Sequence, residues 1–270
     1  MNKIVLGIFS FIIFSCDLAT NQQDVAKEQY SFSWDFSKSQ DFIYSFDQFS
    51  KVAYTVDKGS PATWVGMASK NNLIVSIKDR NSADLSLDNI STHIIKYDSN
   101  QMPIDTVNRS GNSSMLLYGM DTLGSFEDIN FKNLIAKWMP IPTNSMAIGD
   151  TFTVVMEMPF RYRGVVVMAT GGNVLTFEGI ETVEGRTCAK LNGAIKVTTG
   201  ELSGELKGRY MNSINGTASY YFDLKNKMYY GADIKLTQRN SMVDPMSNSF
   251  AGSVNTESYT LRLSKVVAQN

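Results

Sequence analysis

The sequence predicts a mainly β fold: a curved antiparallel sheet or half-barrel with one or two short helices. Apolar and polar residues alternate with period two through much of the chain, as in strands with one buried face. Short turns rich in Gly and Asn separate these segments, and such connections favour antiparallel neighbours. One helix is too little cover for so many strands, so the sheet must close, curve strongly or gain a second layer.

The chain begins with the features of a secretory signal peptide. Lys3 supplies a positive charge, and an apolar run follows from Ile4 to Phe14. This run is too short for a membrane-spanning helix, which needs about 20 apolar residues. The stretch Ile13-Phe14-Ser15-Cys16 resembles a bacterial lipobox, in which the peptide is cut before the Cys and the thiol is lipidated. Plain secretion with cleavage nearby, or an uncleaved anchor, are the alternatives.

These features divide the chain into three parts. We expect a signal peptide at residues 1–15, a polar tether at residues 16–30 and a single antiparallel β domain at residues 31–270. Cys16 is the predicted lipid attachment site, and the N-terminal lipid is the predicted link to a membrane. The expected location is the cell envelope, on the periplasmic or surface face of the outer membrane of a Gram-negative bacterium.

Charge and cysteine content exclude several classes of protein. The chain has 25 basic and 26 acidic residues and a formal charge of −1. This balance argues against nucleic acid, which requires a basic surface, and against membrane attachment by charge alone. Cys188 is the one cysteine besides Cys16, so the chain is no disulfide scaffold.

Strands are predicted from the beginning of the β domain to its end. The stretches SFSWDFS (residues 31–37) and DFIYSF (residues 41–46) have aromatic residues at every second position. Further candidates in the first half are Leu73 to Lys78, Thr92 to Tyr97 and Ser114 to Tyr118. Those in the second half are Thr151 to Met156, Gly164 to Thr170, Val174 to Glu181, Thr187 to Leu191, Ala194 to Thr198, Thr217 to Leu224, Met228 to Thr237 and Glu257 to Val267. The predicted turns among the latter are TGGN, VEGR, LNGA and INGT.

One stretch, Phe126 to Trp138, has helical spacing and ends before Pro140 and Pro142. Its apolar face comprises Phe131, Leu134, Ile135 and Trp138. Two further stretches, KYDSNQMPI and YFDLKNKMYY, predict hairpins because Asp98 and Asp223 precede polar turns that contain Asn. A weak internal duplication would also explain their likeness, and we favour the commoner explanation that one turn chemistry occurs twice.

Few residues have the pattern of a catalytic or metal site. His93 is the only histidine, and we interpret it as a surface or satisfied strand residue in preference to a catalytic base. Cys188 in GRTCAKLNG is interpreted as a buried strand thiol, since no basic partner is identifiable. Glu178, Glu181 and Glu184 are assigned to a solvated edge. We therefore predict no catalytic residue, no metal and no cofactor.

Two features could serve a ligand. The stretch FRYRG at residues 160–164 interleaves aromatic and basic residues, which suits an anion, although solvated arginines beside a turn are commoner. Met is flexible and recurs at adaptable apolar surfaces, so a Met-lined cavity would suit lipid-like molecules; filling of irregular core gaps is the favoured alternative. The methionines considered are Met115, Met120, Met139, Met156, Met158 and Met168.

Four stretches together resemble a family of uncharacterised bacterial lipoproteins. They are the Cys16 lipobox, SFSWDFSKSQDFIYSF, MPIPTNSMAIGDTF and VEGRTCAKL. Phe152 replaces the Trp usual soon after the Gly-Asp pair. The resemblance implies a curved antiparallel sheet like the half-barrel of lipoprotein carriers, with a little helix against its concave side, and it implies no known activity.

The sequence as a whole favours a non-enzymatic, lipid-anchored envelope protein that holds a hydrophobic or amphipathic ligand in a β half-barrel. The mouth of a half-closed barrel is a natural ligand site. The main alternative is a structural or protein-interaction lipoprotein with a packed core and no ligand. A hydrolase that uses His93 is the third class.

Overall fold

Long antiparallel strands build the molecule. The structure, a computed structural model, describes residues 27–56, 61–111, 114–162, 165–200, 202, 207–243 and 249–269. Within these ranges it contains eleven strands and one α-helix. The strands are β1 Gln40–Thr55, β2 Thr63–Ile77, β3 Ala83–Tyr97, β4 Pro103–Ser110, β5 Ser114–Met120, β6 Thr151–Tyr162, β7 Val165–Val183, β8 Arg186–Thr198, β9 Tyr210–Asp223, β10 Met228–Val243 and β11 Phe250–Ala268; the helix is α1 Ile129–Trp138.

All the described strands join a single open, curved antiparallel sheet, which confirms the predicted fold class. Their order is β4-β3-β2-β1-β11-β10-β9-β8-β7-β6, and β5 pairs with β3 outside this path. β4 pairs with the C-terminal part of β3 and β5 with its N-terminal part. These two short strands therefore lie end to end along one edge, and β6 forms the other.

The concave face of the sheet carries the core. Side chains alternate across a strand, so directly paired residues of neighbouring strands share a face. On β1, Phe42, Tyr44 and Phe46 are buried, and Phe46 pairs with buried Leu261 of β11. The same face includes Leu73, Val75, Leu175, Phe177, Leu191, Tyr220, Phe222, Ala232 and Ile234, all buried.

Helix α1 packs against this face. The Asp128 carboxylate caps its N terminus by accepting hydrogen bonds from the backbone N–H groups of Asn130 and Phe131. The helix therefore begins at Ile129 and not at the predicted Phe126, because a capping side chain sets the first turn. It ends at Trp138, as predicted. Its buried residues are Asn133, Ile135, Ala136 and Trp138.

Asn133 joins α1 to the edge strand β6. Its Nδ2 donates to the Glu157 carbonyl oxygen at 2.6 Å, and its Oδ1 accepts from the Glu157 N–H at 3.0 Å. These two bonds satisfy main-chain groups of an edge residue. The next β6 residue with the same orientation is Pro159, which has no N–H. This stretch of the edge is thereby protected from pairing with another strand.

The stretch SFSWDFS is not a strand of the sheet, contrary to the prediction. It buries alternate aromatic residues, namely Phe32, Trp34 and Phe36. Its backbone bonds, however, go to loops: the Trp34 N–H donates to the Thr122 carbonyl at 2.8 Å, and the Asp35 N–H to the Lys227 carbonyl at 3.0 Å. The alternation arises because one side of the segment lies on the core. We call the end of the sheet covered by residues 30–36 the closed end.

Three of the four predicted turns are also wrong, because they lie inside strands. TGGN belongs to β7, LNGA to β8 and INGT to β9, and VEGR is a turn as predicted. A Cβ on Gly171 would lie 1.9 Å from the Lys196 carbonyl oxygen, and one on Gly216 would lie 2.3 Å from that of Lys235. These glycines permit close approach of neighbouring backbones, which is the other common reason for Gly in a sheet.

The remaining strand predictions are correct in kind but short in extent. Leu73 to Lys78 overlaps only the last part of β2, which begins at Thr63. The inner face of the earlier part carries Ser69 and Asn71, both buried. Polar residues on the buried face remove the alternation that identifies a strand, so this part was missed.

The predicted signal peptide (residues 1–15), Cys16 and the tether up to residue 26 lie outside the described residues. Their assignment stays a prediction, as does the single β domain at residues 31–270. Across the part of the chain that the structure describes, no helix has both the length and the apolar character to cross a membrane.

The Asn133 contact predicts a specific loss of stability. We expect Asn133→Ala to lower the free energy of unfolding by about 2 kcal/mol, because the main-chain N–H and C=O of Glu157 lose their side-chain partners. Asn130→Ala, an exposed position on the same helix, should change it by less than about 0.5 kcal/mol. Urea unfolding followed by circular dichroism measures both, and equal losses would contradict the role of Asn133.

Candidate functional site

A groove lies between α1 and β6. It has a volume of about 310 Å³. Asn130, Leu134 and Lys137, at i, i+4 and i+7, form one helical stripe along it. Its lining consists of Asn130, Phe131, Asn133, Leu134, Lys137, Met158, Pro159 and Phe160, and we call it the α1–β6 groove. Among the described residues, the lining is therefore mainly apolar and includes one cation, Lys137.

Alternation along β6 explains the strand side of the groove. Met156 is buried on the inner face, and Met158 and Phe160 follow it at period two. Both are only partly buried, as are Phe131 and Leu134 of the helix. Phe131 and Leu134 belong to the predicted apolar face of α1. They border an opening, whereas Ile135 and Trp138 of that face are fully packed.

Lys137 lies in the last turn of α1 and is the last residue of the helical stripe that lines the groove. Its Nζ donates to the Tyr259 hydroxyl of β11 at 3.3 Å and lies 4.7 Å from the centroid of the Tyr259 ring. Tyr259 donates in turn to the Glu257 carboxylate, which also accepts from the Asn255 amide at 2.6 Å. Burial lowers the pKa of Lys137, and the charge on Glu257 opposes this effect.

The C-terminal turn of α1 is buried, and side chains of the sheet satisfy its carbonyl groups. Asn173 donates to the Ala136 carbonyl at 3.0 Å, and Tyr220 donates to the Lys137 carbonyl at 2.6 Å. Tyr229 donates to the Pro140 carbonyl just beyond the helix. Burial raises the pKa of both tyrosines, so they remain neutral donors. This arrangement holds Lys137 in place at the end of the groove.

The inner face of the opposite edge is also incompletely covered. The register aligns Ser50, Met67, Ile94 and Val107 in one row across β1, β2, β3 and β4. Met67 is 36% exposed and Val107 is 41% exposed. We call this side of the half-barrel, away from residues 30–36, the open end.

Four of the six methionines considered fill the core, which confirms the favoured alternative for them. Met120, Met139 and Met156 are fully buried, and Met115 packs partly buried against them and their neighbours. Met168 is 40% exposed and pairs with Pro159, on the face opposite the core. Of the six, Met158 alone lines the groove.

Cys188 is a buried thiol on β8, as predicted. Burial, followed by the nearby Asp223 carboxylate, raises the pKa of Cys188 to about 11. Asp223 is itself paired with Arg186 at 3.1 Å. A thiol with this pKa stays protonated at neutral pH, so it lacks the thiolate required of a nucleophile.

The other candidate residues do not converge on the groove. His93 lies on β3, where its Nδ1 is 2.6 Å from the Asn108 Oδ1 of β4. Glu178 is exposed, Glu181 pairs with Lys190 at 3.7 Å, and Glu184 accepts from Tyr230. Within the described ranges, no three His, Cys, Asp or Glu residues are grouped so that they could hold a metal ion.

The stretch FRYRG is described only in part. Phe160 lines the groove, whereas the side chains of residues 161–164 lie outside the described part of the chain. An anion site formed by these arginines stays a prediction.

Both predicted hairpins are confirmed. Asp98 accepts hydrogen bonds from the backbone N–H groups of Asn100 and Met102 between β3 and β4. Asp223 accepts from those of Lys225 and Asn226 between β9 and β10. These bonds are the backbone satisfaction that Asp supplies in tight turns.

Sequence reasoning missed Lys137 and Tyr259 as parts of the site, whereas Phe160 belongs to the FRYRG stretch that it named. A signal for Lys137 was available, since it follows Leu134 in the apolar stripe of the helix and lies beside Trp138. No comparable signal marked Tyr259, because its meeting with Lys137 depends on how α1 crosses β11.

The buried thiol makes a prediction about reactivity. In a Cys16→Ser chain, Cys188 is the only thiol, and we expect no measurable reaction with Ellman's reagent at pH 8 within an hour. Below its pKa of about 11 the thiol is protonated, and it is also inaccessible. One full equivalent should react in 6 M guanidinium chloride. Rapid labelling of the folded chain would contradict the buried environment.

Comparison with known proteins yields weak similarities. No known family matches the chain, and no curated protein matches it in sequence. A structure of lipid–protein interactions in lipovitellin is 10% identical, with a TM-score of 0.38; the match covers 87% of this chain and 26% of that one. A DUF1329 family protein from Desulfovibrio piger is 12% identical, with a TM-score of 0.16; the match covers 87% and 88%. The chain thus spans about a quarter of the lipovitellin chain, and neither similarity establishes a shared family or ligand.

Proposed function

We propose that this protein is a lipid-anchored component of the bacterial cell envelope that binds a hydrophobic or amphipathic small molecule in its half-barrel and catalyses no reaction. The α1–β6 groove carries the binding proposal. Phe131, Leu134, Met158 and Phe160 meet there around a space of about 310 Å³ and are left partly uncovered. A concave, mainly apolar space with few polar groups is typical of small-molecule sites.

The candidate catalytic groups support a binding role over an enzymatic one. The Cys188 thiol has a raised pKa and is buried away from the groove. His93 faces an amide oxygen, that of Asn108, and not a carboxylate. Neither residue lines the groove.

The rival proposal is a packed interior without a ligand. Its support comes from the closed end, where Phe36, Phe42, Trp34 and Tyr229 pack ring against ring. That packing does not extend to the α1–β6 groove, whose apolar residues stay partly accessible to solvent. Apolar side chains gathered around such an opening favour a ligand, because occupation would remove their surface from water.

Attachment through Cys16 rests on the lipobox-like sequence. The mature chain would then begin with a diacylglycerol-bearing cysteine, and the polar stretch after it would serve as the tether. Several acyl chains hold a protein firmly, at roughly 0.8 kcal/mol per buried methylene. An envelope location follows from the signal peptide and this anchor.

The groove predicts uptake of a neutral apolar dye. Nile red should gain fluorescence on binding the wild-type protein, and Leu134→Glu should weaken this binding by about tenfold or more, because a carboxylate is costly in an apolar site. Lys132→Glu, at an exposed position of α1 outside the groove, is the matched control and should bind as wild type. Equal binding by the Leu134→Glu chain would exclude the groove as the site, and absence of binding by the wild-type protein would favour the packed-core rival.

The anchor predicts metabolic labelling at one cysteine. Cells fed radioactive palmitate should label the wild-type chain and a Cys188→Ala chain, whereas Cys16→Ala should abolish the label. Equal labelling of the Cys16→Ala chain would refute the lipid anchor. Immunoblots of the same samples control for expression.

A further inference from the structure

The strongest unassigned feature is Lys137, a lysine that lines the mainly apolar groove. The Lys137 ammonium has three N–H donors, and among the described residues only the Tyr259 hydroxyl accepts one, at 3.3 Å. Glu257 is already bonded to Tyr259 and Asn255. None of the ion pairs among the described residues includes Lys137.

Loss of hydration disfavours the charge on this ammonium, whereas the faces of two nearby aromatic rings attract it without replacing a hydrogen-bond acceptor. The Trp138 ring lies 5.6 Å away and the Tyr259 ring 4.7 Å away. Loss of hydration lowers the pKa of Lys137 despite the charge on Glu257. An anion placed beside Nζ would stabilise the charged form and satisfy a free donor.

The size of the groove limits what this anion can belong to. Small-molecule pockets range from roughly 300 to 1,000 Å³, and this groove, at about 310 Å³, lies at the lower limit. It therefore suits one acyl chain in preference to two.

The polar groups of the lining limit the kind of anion. A phosphate presents three strong acceptor oxygens, whereas the described residues of the lining include one cation, Lys137. The Asn133 amide is already bonded to the backbone of Glu157. A monoanion with a compact head group, such as a carboxylate, matches the single charge and the free N–H donors of Lys137.

We propose that the groove binds a single-chain fatty acid, with its carboxylate paired to Lys137 and its chain along Leu134, Met158 and Phe160. This inference rests on the proposed ligand-binding function and adds the chemical class of the ligand. Lys137 gives the site a preference for an acid over a neutral molecule of the same length.

Calorimetric titration of the Cys16→Ala full chain with dodecanoate, 1-dodecanol and dodecyl phosphate tests the proposal. Dodecanoate should bind about tenfold more tightly than dodecanol, the scale of a charge-assisted hydrogen bond. Dodecyl phosphate should bind less tightly than dodecanoate. Lys137→Met should lose the preference for the acid and still bind dodecanol. Lys137→Arg should keep that preference. Lys132→Met, outside the groove, should bind all three molecules as the unmutated protein does.

Each outcome has a separate meaning. Equal binding of acid and alcohol, or a preference that survives Lys137→Met, overturns the role of Lys137 while the binding function stands. Tighter binding of dodecyl phosphate overturns the carboxylate assignment. Binding of none of the three overturns the proposed function and this inference with it. If Lys137→Met fails to fold, the ratio of the affinities for dodecanoate and dodecanol in the unmutated protein tests the proposal instead.

Discussion

The architecture depends on the hydrogen bonds made by the carbonyl groups at the buried C-terminal end of α1. A helix leaves its last carbonyl groups without internal partners, and burying them unpaired is costly. Asn173, Tyr220 and Tyr229 reach from β7, β9 and β10 to donate to carbonyl groups at and just beyond the helix end. The sheet must curve so that three of its strands surround one helix end.

This constraint divides the concave face into two parts. At the closed end, the aromatic segment at residues 30–36 and the last turn of α1 fill the space with packed rings. The N-terminal turns of α1 are more exposed, and Asn133 holds the helix to the edge strand at Glu157. The α1–β6 groove is the gap that remains between a helix fixed at both of these points and the strand it does not fully cover.

The same constraint places a charge where the core would otherwise be apolar. Lys137 belongs to the last turn of α1, which these hydrogen bonds fix in position. Its side chain therefore reaches β11, where Tyr259 and Glu257 lie. A methionine there would pack without this cost. A lysine held by aromatic faces and a single hydroxyl therefore stands out as a group suited to a ligand.

The sequence by itself determined the fold class, the hairpins at Asp98 and Asp223, the helix and the buried state of Cys188. Each depends on local periodicity or turn chemistry, and both are set by residues that are close together in the sequence. Only the tertiary structure decided that residues 31–37 cover an end instead of joining the sheet, and that the TGGN glycines permit strand contact instead of turning the chain. It alone brought Lys137 to Tyr259, residues distant in sequence. Period-two alternation reports one buried side, and it does not report what lies on that side; that depends on contacts between distant segments.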